Sequence, residues 1–352
     1  MSCVLDHPEY DDHELVVFHR HPPSGLRAIV AVHSTVLGRG LGGCRVYPYA
    51  NEADAVTDVL RLSRGMTYKA ALAGLQQGGG KAVVIADPRL DKTPAMMRAM
   101  GSLVQTLGGR YVIAEDSGTD EDDMRQVAQE TAYIGGGAAA PNPNDPGDRD
   151  TSAATALGVL HGIEAAARFR LGREDLRGLR VAIQGVGKVG QVLAQHLHDA
   201  GARLFVCDAF EPAVTACVKR FGATPVDVAD LIELDVDVYS PCALGAVLGD
   251  DTAMRLRAPI VAGAANNQLA EPRHGRVLME RGVLYAPDYA INAGGIINLY
   301  YEGPTRRWAV VEQHIRRIGE TLTTIFTRAR EELRPTHEIA DRMAETIFHK
   351  PG

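Results

Sequence analysis

No CxxC pair occurs in this sequence. Its five cysteines, Cys3, Cys44, Cys207, Cys217 and Cys242, are scattered, which excludes a disulfide framework and points to free thiols in a reducing compartment. A basic excess is also lacking. The formal net charge is -7, so electrostatics give no reason to expect nucleic acid. Long hydrophobic runs are missing too. The longest apolar segments are strand-sized or broken by Pro, Asp or Asn, and none suits a membrane span. The N-terminal stretch MSCVLDHPEYDDHE is acidic and has no apolar region behind a positive start. No signal peptide is therefore expected, and a cytoplasmic protein is the default. Metal-ligand spacing is absent as well. His196 and His198 are two apart in a helical stretch and point in different directions, and His19 and His21 flank a charged turn. No catalytic metal is expected. There is no internal repeat and no low-complexity segment.

What is present has the balance of a globular protein, with 45% hydrophobic and 23% charged residues. A length of 352 residues suggests two domains, at about 100–200 residues per domain. The stretch GMTYKAALAGLQQGGGK, Gly65 to Lys81, is the centre of the reading. It places Lys69 and Lys81 on either side of a glycine-rich turn, Gly78 to Gly80, where backbone can approach a ligand closely. Lys81 opens the apolar run AVVIAD, which reads as a buried strand over 82–86. A lysine at the mouth of such a strand is partly desolvated, which disfavours its ammonium form and suits it to act as a base. The competing reading is a pair of surface lysines on a flexible loop.

Residues 15–18 and 26–33 read as a strand pair around a Pro/Gly turn. LGRGLGGCR, 37–45, reads as a second glycine-rich loop. Asn51 is a candidate N-cap for an apolar-striped helix through Ser63. A helix is expected over 94–107 and a strand over 110–116, whose last residues are Glu115 and Asp116, a placement typical of a cleft rim. Asp120 reads as a helix cap. The Gly/Pro/Asn/Asp-rich segment 135–150 is the linker candidate. Beyond it come a helix over about 152–168, a strand over 179–184, and the β-rich runs 236–239, 259–267 and 283–289. Helices over 308–333 and from Pro335 close the chain. Alternating strands and helices imply an α/β fold with a parallel sheet and crossover helices.

Gly185-x-Gly187-x-x-Gly190 follows the strand at 179–184 and opens an amphipathic helix. Asp208 ends the next strand, 18 residues past Gly190, near the roughly 20 expected of a dinucleotide site. The glycines allow a tight turn and close approach of the pyrophosphate to the helix N-terminus. Asp208 would accept from the ribose 2′-hydroxyl and repel a 2′-phosphate, which favours NAD over NADP. Lys188 and Val189 lie within the loop, and for Lys188 a solvated lysine competes with a pyrophosphate contact.

With both lysines, Asp116 and the dinucleotide loop in view, the sequence resembles the amino-acid dehydrogenase family of glutamate, leucine, valine, phenylalanine and tryptophan enzymes. The resemblance covers nearly the whole chain through LGGCRVYPY, GMTYK, GGGKAVVI, AEDSGT, TALGV, GVGKVG, PCALG, GAANNQL and YAPDYAINAGG. In look it is nearest to the valine, leucine and tryptophan branch. It implies a mixed α/β catalytic domain, residues 1–148 with a return from about 328 to 352, and an inserted Rossmann domain over 149–327. It implies reversible NAD-dependent oxidative deamination of an L-amino acid to a 2-oxo acid and ammonia. The site would lie between the domains, because hydride leaves Cα only toward a closely placed nicotinamide. It also implies a homo-oligomer, dimer or octamer.

By the same resemblance Lys69 binds the substrate α-carboxylate, Lys81 activates water, and Asp116 shuttles protons to and from the substrate nitrogen. Thr155 contacts the nicotinamide carboxamide, Cys242 and Ala243 lie near the cofactor, Asn266 touches substrate and nicotinamide, and Asn292 lies at the same cleft. Glutamate enzymes of the family hold the substrate's side-chain carboxylate with a lysine and a serine, where this chain has Leu41 and Leu299. With Gly42, Ala114 and Ile296 these imply an apolar substrate pocket and a hydrophobic amino acid. Departures are Cys44 in place of a common threonine, Ser117 in place of a valine-like residue, and the unusual segment 138–150. Two alternatives remain at this point: a glutamate dehydrogenase, and a catalytically silent NAD-binding regulator on the same fold.

Overall fold

The computed structural model describes residues 4–135, 151–243, 245–303 and 306–348. The chain divides into two compact units, Met1–Asn144 with Glu302–Thr305 and Ala344–Gly352, and Asp145–Tyr301 with Arg306–Met343.

The first unit is built from β1 (Leu15–His21), β2 (Leu26–Ser34), β3 (Gly40–Tyr47), α1 (Glu52–Leu72), β4 (Gly78–Ile85), α2 (Pro94–Thr106), β5 (Tyr111–Glu115) and α3 (Glu121–Val127). Its five strands form one mixed sheet in the order β1-β2-β4-β3-β5. The pairs β1·β2 and β2·β4 are antiparallel, while β3 runs parallel to both β4 and β5. Period-2 alternation gives the sheet two apolar faces. One packs Val30, Cys44, Val84 and Ile113 against the methionines of α2 and Met124 of α3. The other packs Ile29, Ala31 and Val83 against Ala55, Val59 and Leu60 of α1. Asn51 caps α1 by accepting from the Asp54 N–H, and Asp120 caps α3 in a capping box with Asp123, as the sequence suggested.

Gly78–Gly80 and all of 37–45 beyond the turn at 37–39 are strand, not loop. Gly40–Gly43 belong to β3 and Gly78–Gly80 to β4. Their glycines serve close packing rather than flexibility. A Cβ on Gly42 would stand 1.6 Å from the Gly80 carbonyl oxygen, and one on Gly80 would stand 2.7 Å from the Tyr111 ring.

The second unit contains α4 (Thr151–Leu171), β6 (Arg180–Gln184), α5 (Lys188–Asp199), β7 (Arg203–Cys207), α6 (Glu211–Phe221), β8 (Thr224–Pro225), α7 (Val228–Leu231), β9 (Val238–Pro241), α8 (Asp250–Arg255), β10 (Ile260–Val261), α9 (Arg273–Glu280), β11 (Leu284–Tyr285), α10 (Asp288–Ile291), α11 (Gly294–Tyr300), α12 (Trp308–Glu332) and the start of α13 (Thr336–Phe348). Six parallel strands lie in the order β11-β10-β9-β6-β7-β8, a doubly wound Rossmann arrangement. The β-rich stretches 259–267 and 283–289 supply only the short strands β10 and β11. The rest of 259–267 forms loop, and the rest of 283–289 is divided between loop and α10, which begins at Asp288.

The sequence reading drew the return to the first unit at about residue 328, whereas α12 groups with the second unit and the return begins at Ala344. The reason is packing. The α12 stripe Val311, Ile315, Ile318, Leu322 and Phe326 is buried, and Gly158 and Gly162 of α4 leave room for Ile318 and Leu322. The end of α13 belongs to the first unit, where the Phe348 ring lies 5.2 Å from that of Tyr68. The linker candidate falls, over residues 136–150, outside the described residues. No helix among the described residues is long and apolar enough to cross a membrane.

Candidate active site

In the first unit Leu41, Lys81, Ala114 and Asp116 fall on the α1 face of the sheet, while Gly42 alternates to the other face. Leu41, Gly43 and Arg45 alternate onto one side of β3, and Gly43 pairs with Ala114 of β5. Asp116 follows β5 directly. Lys81 is the fourth residue of β4 and only 6% exposed. Its Nζ donates to Asp116 Oδ2. Lys69 stands half-buried in the last turn of α1, so it is a helix residue rather than one arm of a turn. Leu41 and Ala114 are buried, and the Gly42 carbonyl accepts from the Tyr111 hydroxyl at 2.6 Å.

Several contacts fix Asp116. Its backbone N–H donates to the Thr119 hydroxyl at 2.9 Å, and that hydroxyl lies 3.0 Å from the Cys44 carbonyl oxygen. Gly43 lets the carboxylate come close, since a Cβ there would stand 2.5 Å from Asp116 Cβ. Gly118 turns the chain at φ +83°, where a Cβ would also meet the Val46 carbonyl oxygen at 2.2 Å. Burial pushes the Asp116 carboxyl up. Attraction to Lys81 and Arg45, with hydrogen bonds from Lys81 and the Ser117 N–H, outweighs that and holds it below the usual carboxylate value. Burial likewise pushes the Cys44 thiol up to about 12, so it stays a neutral thiol beside the pair.

Sequence reasoning missed Arg45 and Thr119. Arg45 Nε lies 3.5 Å from Asp116 Oδ2. Its position two residues past Gly43, on the same strand face, was a usable signal once LGGCR is read as strand.

In the second unit the glycine loop joins β6 to α5. Gly185 adopts φ +94°, and a Cβ there would stand 2.7 Å from Ala243. A Cβ on Gly190 would stand 2.0 Å from the Gly185 carbonyl oxygen, while one on Gly187, the N-cap of α5, would meet nothing within 4 Å. The loop thus presses against the end of β9 and leaves the helix N-terminus open. Asp208 follows β7 and accepts from the Val186 N–H through Oδ2 and the Phe210 N–H through Oδ1, each at 2.8 Å. Lys188 is exposed and Val189 half-buried. An open cradle of backbone N–H groups with an acid beside it fits the pyrophosphate and ribose of a dinucleotide.

The remaining expected residues of this unit form a second group. Asn292 is 5% exposed, and its Nδ2 donates to Asn266 Oδ1 at 2.8 Å and to the Ala264 carbonyl at 3.0 Å. Buried Gln268, which the sequence reading did not single out, braces this loop by donating to the Gly263 and Ala265 carbonyls. Thr155 lies in the second turn of α4, its hydroxyl donating to the Thr151 carbonyl at 2.7 Å, beside Gly295. Ile296 and Leu299, three apart on α11, share one side of that helix, Ile296 buried and Leu299 half-buried. Cys242 is half-buried and Ala243 exposed. No group of three or more His, Cys, Asp or Glu placed to hold a metal ion occurs among the described residues.

Comparison with known proteins gives a consistent assignment. Residues 13–133 match the Glu/Leu/Phe/Val dehydrogenase dimerisation domain, and residues 147–210 and 208–334 match the Glutamate/Leucine/Phenylalanine/Valine dehydrogenase family. The chain is 47% identical to a leucine dehydrogenase of Geobacillus stearothermophilus, over 97% of this chain and 92% of that one. It is 46% identical to a valine dehydrogenase of Streptomyces albus, over 97% and 94%. The crystal structure of L-tryptophan dehydrogenase from Nostoc punctiforme superimposes with a TM-score of 0.80 at 41% identity, covering 96% of each chain. A buried Lys–Asp pair joining β4 to the end of β5 in one unit, a Rossmann cradle in the other, and matches over nearly the full length together place the chain in the glutamate, leucine, phenylalanine and valine dehydrogenase family, as an amino-acid dehydrogenase.

Proposed function

We propose that the enzyme oxidatively deaminates a hydrophobic L-amino acid with NAD, reversibly, giving the 2-oxo acid and ammonia. The observation that carries this reading is the buried Lys81–Asp116 pair. Lys69 holds the substrate α-carboxylate as a point charge. Asp116 is held as a carboxylate and takes a proton from the substrate ammonium, freeing the nitrogen lone pair. The chemistry that NAD supplies when bound is two-electron oxidation, for which Gly185, Gly187, Gly190 and Asp208 would hold its pyrophosphate and ribose. Thr155, Cys242, Ala243 and Asn266 would serve its nicotinamide end. Lys81, after releasing its proton to solvent, takes a proton from the water that attacks the substrate imine, and Asp116 returns a proton to the departing nitrogen. Leu41, Gly42, Ala114, Ile296 and Leu299 would receive the apolar side chain, and Asn292 would support Asn266. The matched dimerisation domain supports a homo-oligomer, for which we propose a dimer or octamer.

The test is NADH absorbance with a panel of L-amino acids, using NAD and NADP, for the wild type and for Lys69→Ala, Lys81→Ala and Asp116→Asn. Apolar substrates with NAD should turn over in the wild type. Lys81→Ala and Asp116→Asn should lower kcat by about 10²- to 10⁴-fold, the usual contribution of a general acid or base. Lys69→Ala should chiefly raise KM. Near wild-type kcat in Lys81→Ala would overturn the assignment of roles.

A further inference from the structure

Asp116 faces two cations of different kinds. Lys81 reaches it from β4 and Arg45 from β3. The other titratable groups around it are Cys44 of β3, Tyr49 beyond β3 and Tyr111 of β5. Burial pushes all three up, so they are neutral near pH 7, and the charge on Asp116 is held by the two cations together with the Ser117 N–H. A guanidinium stays protonated at any working pH, whereas an ammonium can give up its proton.

The guanidinium is anchored away from the carboxylate. Arg45 Nη1 donates to Asp58 Oδ2 at 2.9 Å, and the Tyr49 hydroxyl donates to the same oxygen at 2.5 Å. Asp58 rides on α1, the helix that carries Lys69. Arg45 Nε is buried and makes no hydrogen bond, although it stands 3.5 Å from Asp116 Oδ2. A buried donor held just short of an acceptor is costly unless the acceptor closes on it at some stage.

We propose that Arg45 is a positioning residue for the proton-transfer carboxylate: fixed by Asp58 and Tyr49, it keeps Asp116 ionised and in place when Lys81 has given up its charge. This rests on the proton-transfer roles given above for Lys81 and Asp116. With Lys81 neutral, Asp116 loses the attraction of the ammonium. Arg45 Nε then becomes its remaining charged donor, and a small closing movement completes the bond. Without Arg45, the neutral lysine would leave Asp116 desolvated beside no cation, and it would take up a proton at a higher pH.

The experiment mimics the neutral lysine with Lys81→Met. The protonated-carboxyl infrared band of Asp116, identified by its loss in Asp116→Asn, is titrated in Lys81→Met and in Lys81→Met/Arg45→Met. The midpoint should rise by about 1–3 units when Arg45 is removed, the usual effect of one close opposite charge. In the Lys81 enzyme, Arg45→Met should lower kcat about 10- to 100-fold, part of the 10²–10⁴ of general acid–base catalysis. KM for the amino acid should change little, and Arg45→Lys should recover much of the loss. If Arg45→Met fails to fold because Asp58 loses its cation, Arg45→Met/Asp58→Asn removes both charges, with the same direction expected. An unmoved midpoint, or a kcat loss that Arg45→Lys does not recover, overturns the proposal. An active Asp116→Asn enzyme would instead overturn the underlying assignment of roles, whatever Arg45 does.

Discussion

A Cβ added to Gly79 of β4 would stand 2.1 Å from the backbone N of Thr67 in α1. Helix and strand are in backbone contact there, two residues before Lys69 and two before Lys81. The absence of one methyl group therefore sets the distance between a helix carrying one lysine and a strand carrying the other. Gly79→Ala should force them apart. The expected cost is about 1–3 kcal/mol, toward the upper end because a backbone atom cannot swing aside. Chemical denaturation should show the loss, and KM for the amino acid should rise as Lys69 is displaced. A variant of wild-type stability and KM would mean that helix and strand do not need this contact.

The same glycines show what the sequence could and could not reveal. The Rossmann loop was legible because its residues are close in the chain, Gly185 answering to a left-handed turn against Ala243 and Gly190 to the Gly185 carbonyl. Asp116 was legible through its strand end and family likeness, whereas Lys81, read at the mouth of a strand, is the fourth of eight residues of β4 and was legible through family likeness. The glycines at 40–43 and 78–80 looked like loop because glycine usually marks a turn, as Gly38 does. Their reason here is crowding by Thr67, Tyr111 and partner strands distant in sequence. Arg45 was overlooked for the same cause: a residue's face is defined only once its segment is known to be strand. The short β10 and β11 were overestimated because apolar content does not distinguish strand from buried loop.

Asp208 has a structural task besides the one its spacing suggests. Its carboxylate accepts from Val186 within the glycine loop, so it ties the loop to β7, in addition to the ribose contact proposed for it. Asp208→Ser removes a charge-assisted bond worth about 1.5–3 kcal/mol. NAD should then bind about 10- to 100-fold more weakly. NADP should lose less, because repulsion of its 2′-phosphate is relieved as the loop loosens. Calorimetric Kd values for both dinucleotides read this directly. Tighter binding of NADP than NAD by the wild type would contradict the role given to Asp208.

Acid sensitivity should come partly from His13, which is buried at 4% exposure. Its Nδ1 accepts from the Asp11 N–H at 3.1 Å, and Nε2 lies 3.1 Å from the Leu60 carbonyl oxygen. That arrangement suits the neutral ring protonated on Nε2 and leaves no acceptor for a second proton. Burial and the neighbouring His33 push its pKa down to about 4, from an ordinary value of 6.5. Unfolded chains therefore bind this proton below about pH 6.5 while the folded chain does not until about pH 4. Stability is fully present above the unfolded value and falls as pH drops through that window, by an amount of order 3 kcal/mol at most. His13→Gln should show a shallower fall in urea-unfolding free energy between pH 7 and about pH 4. Parallel curves for the two proteins would assign the acid sensitivity elsewhere.

Substrate choice should follow from Leu41 and Leu299. Leu41 is 4% exposed and lies on the same side of β3 as Arg45, the residue that faces Asp116. Leu299 shares a side of α11 with Ile296. If these residues receive the side chain of the amino acid, a substrate carboxylate there would be buried without a partner, at a cost of several kcal/mol. Each added methylene would instead gain about 0.8 kcal/mol. The series alanine, 2-aminobutyrate, norvaline should then climb in kcat/KM by about fourfold per step, with glutamate nearly excluded. Leu41→Ala and Leu299→Ala should change that slope, because a shortened wall no longer removes water from the added carbon. If both substitutions lower stability but leave the relative kcat/KM values unchanged, the two leucines are core residues and the pocket lies elsewhere. Glutamate turnover comparable with leucine and valine would reject an apolar pocket altogether, since no rearrangement of leucine side chains can partner a buried carboxylate.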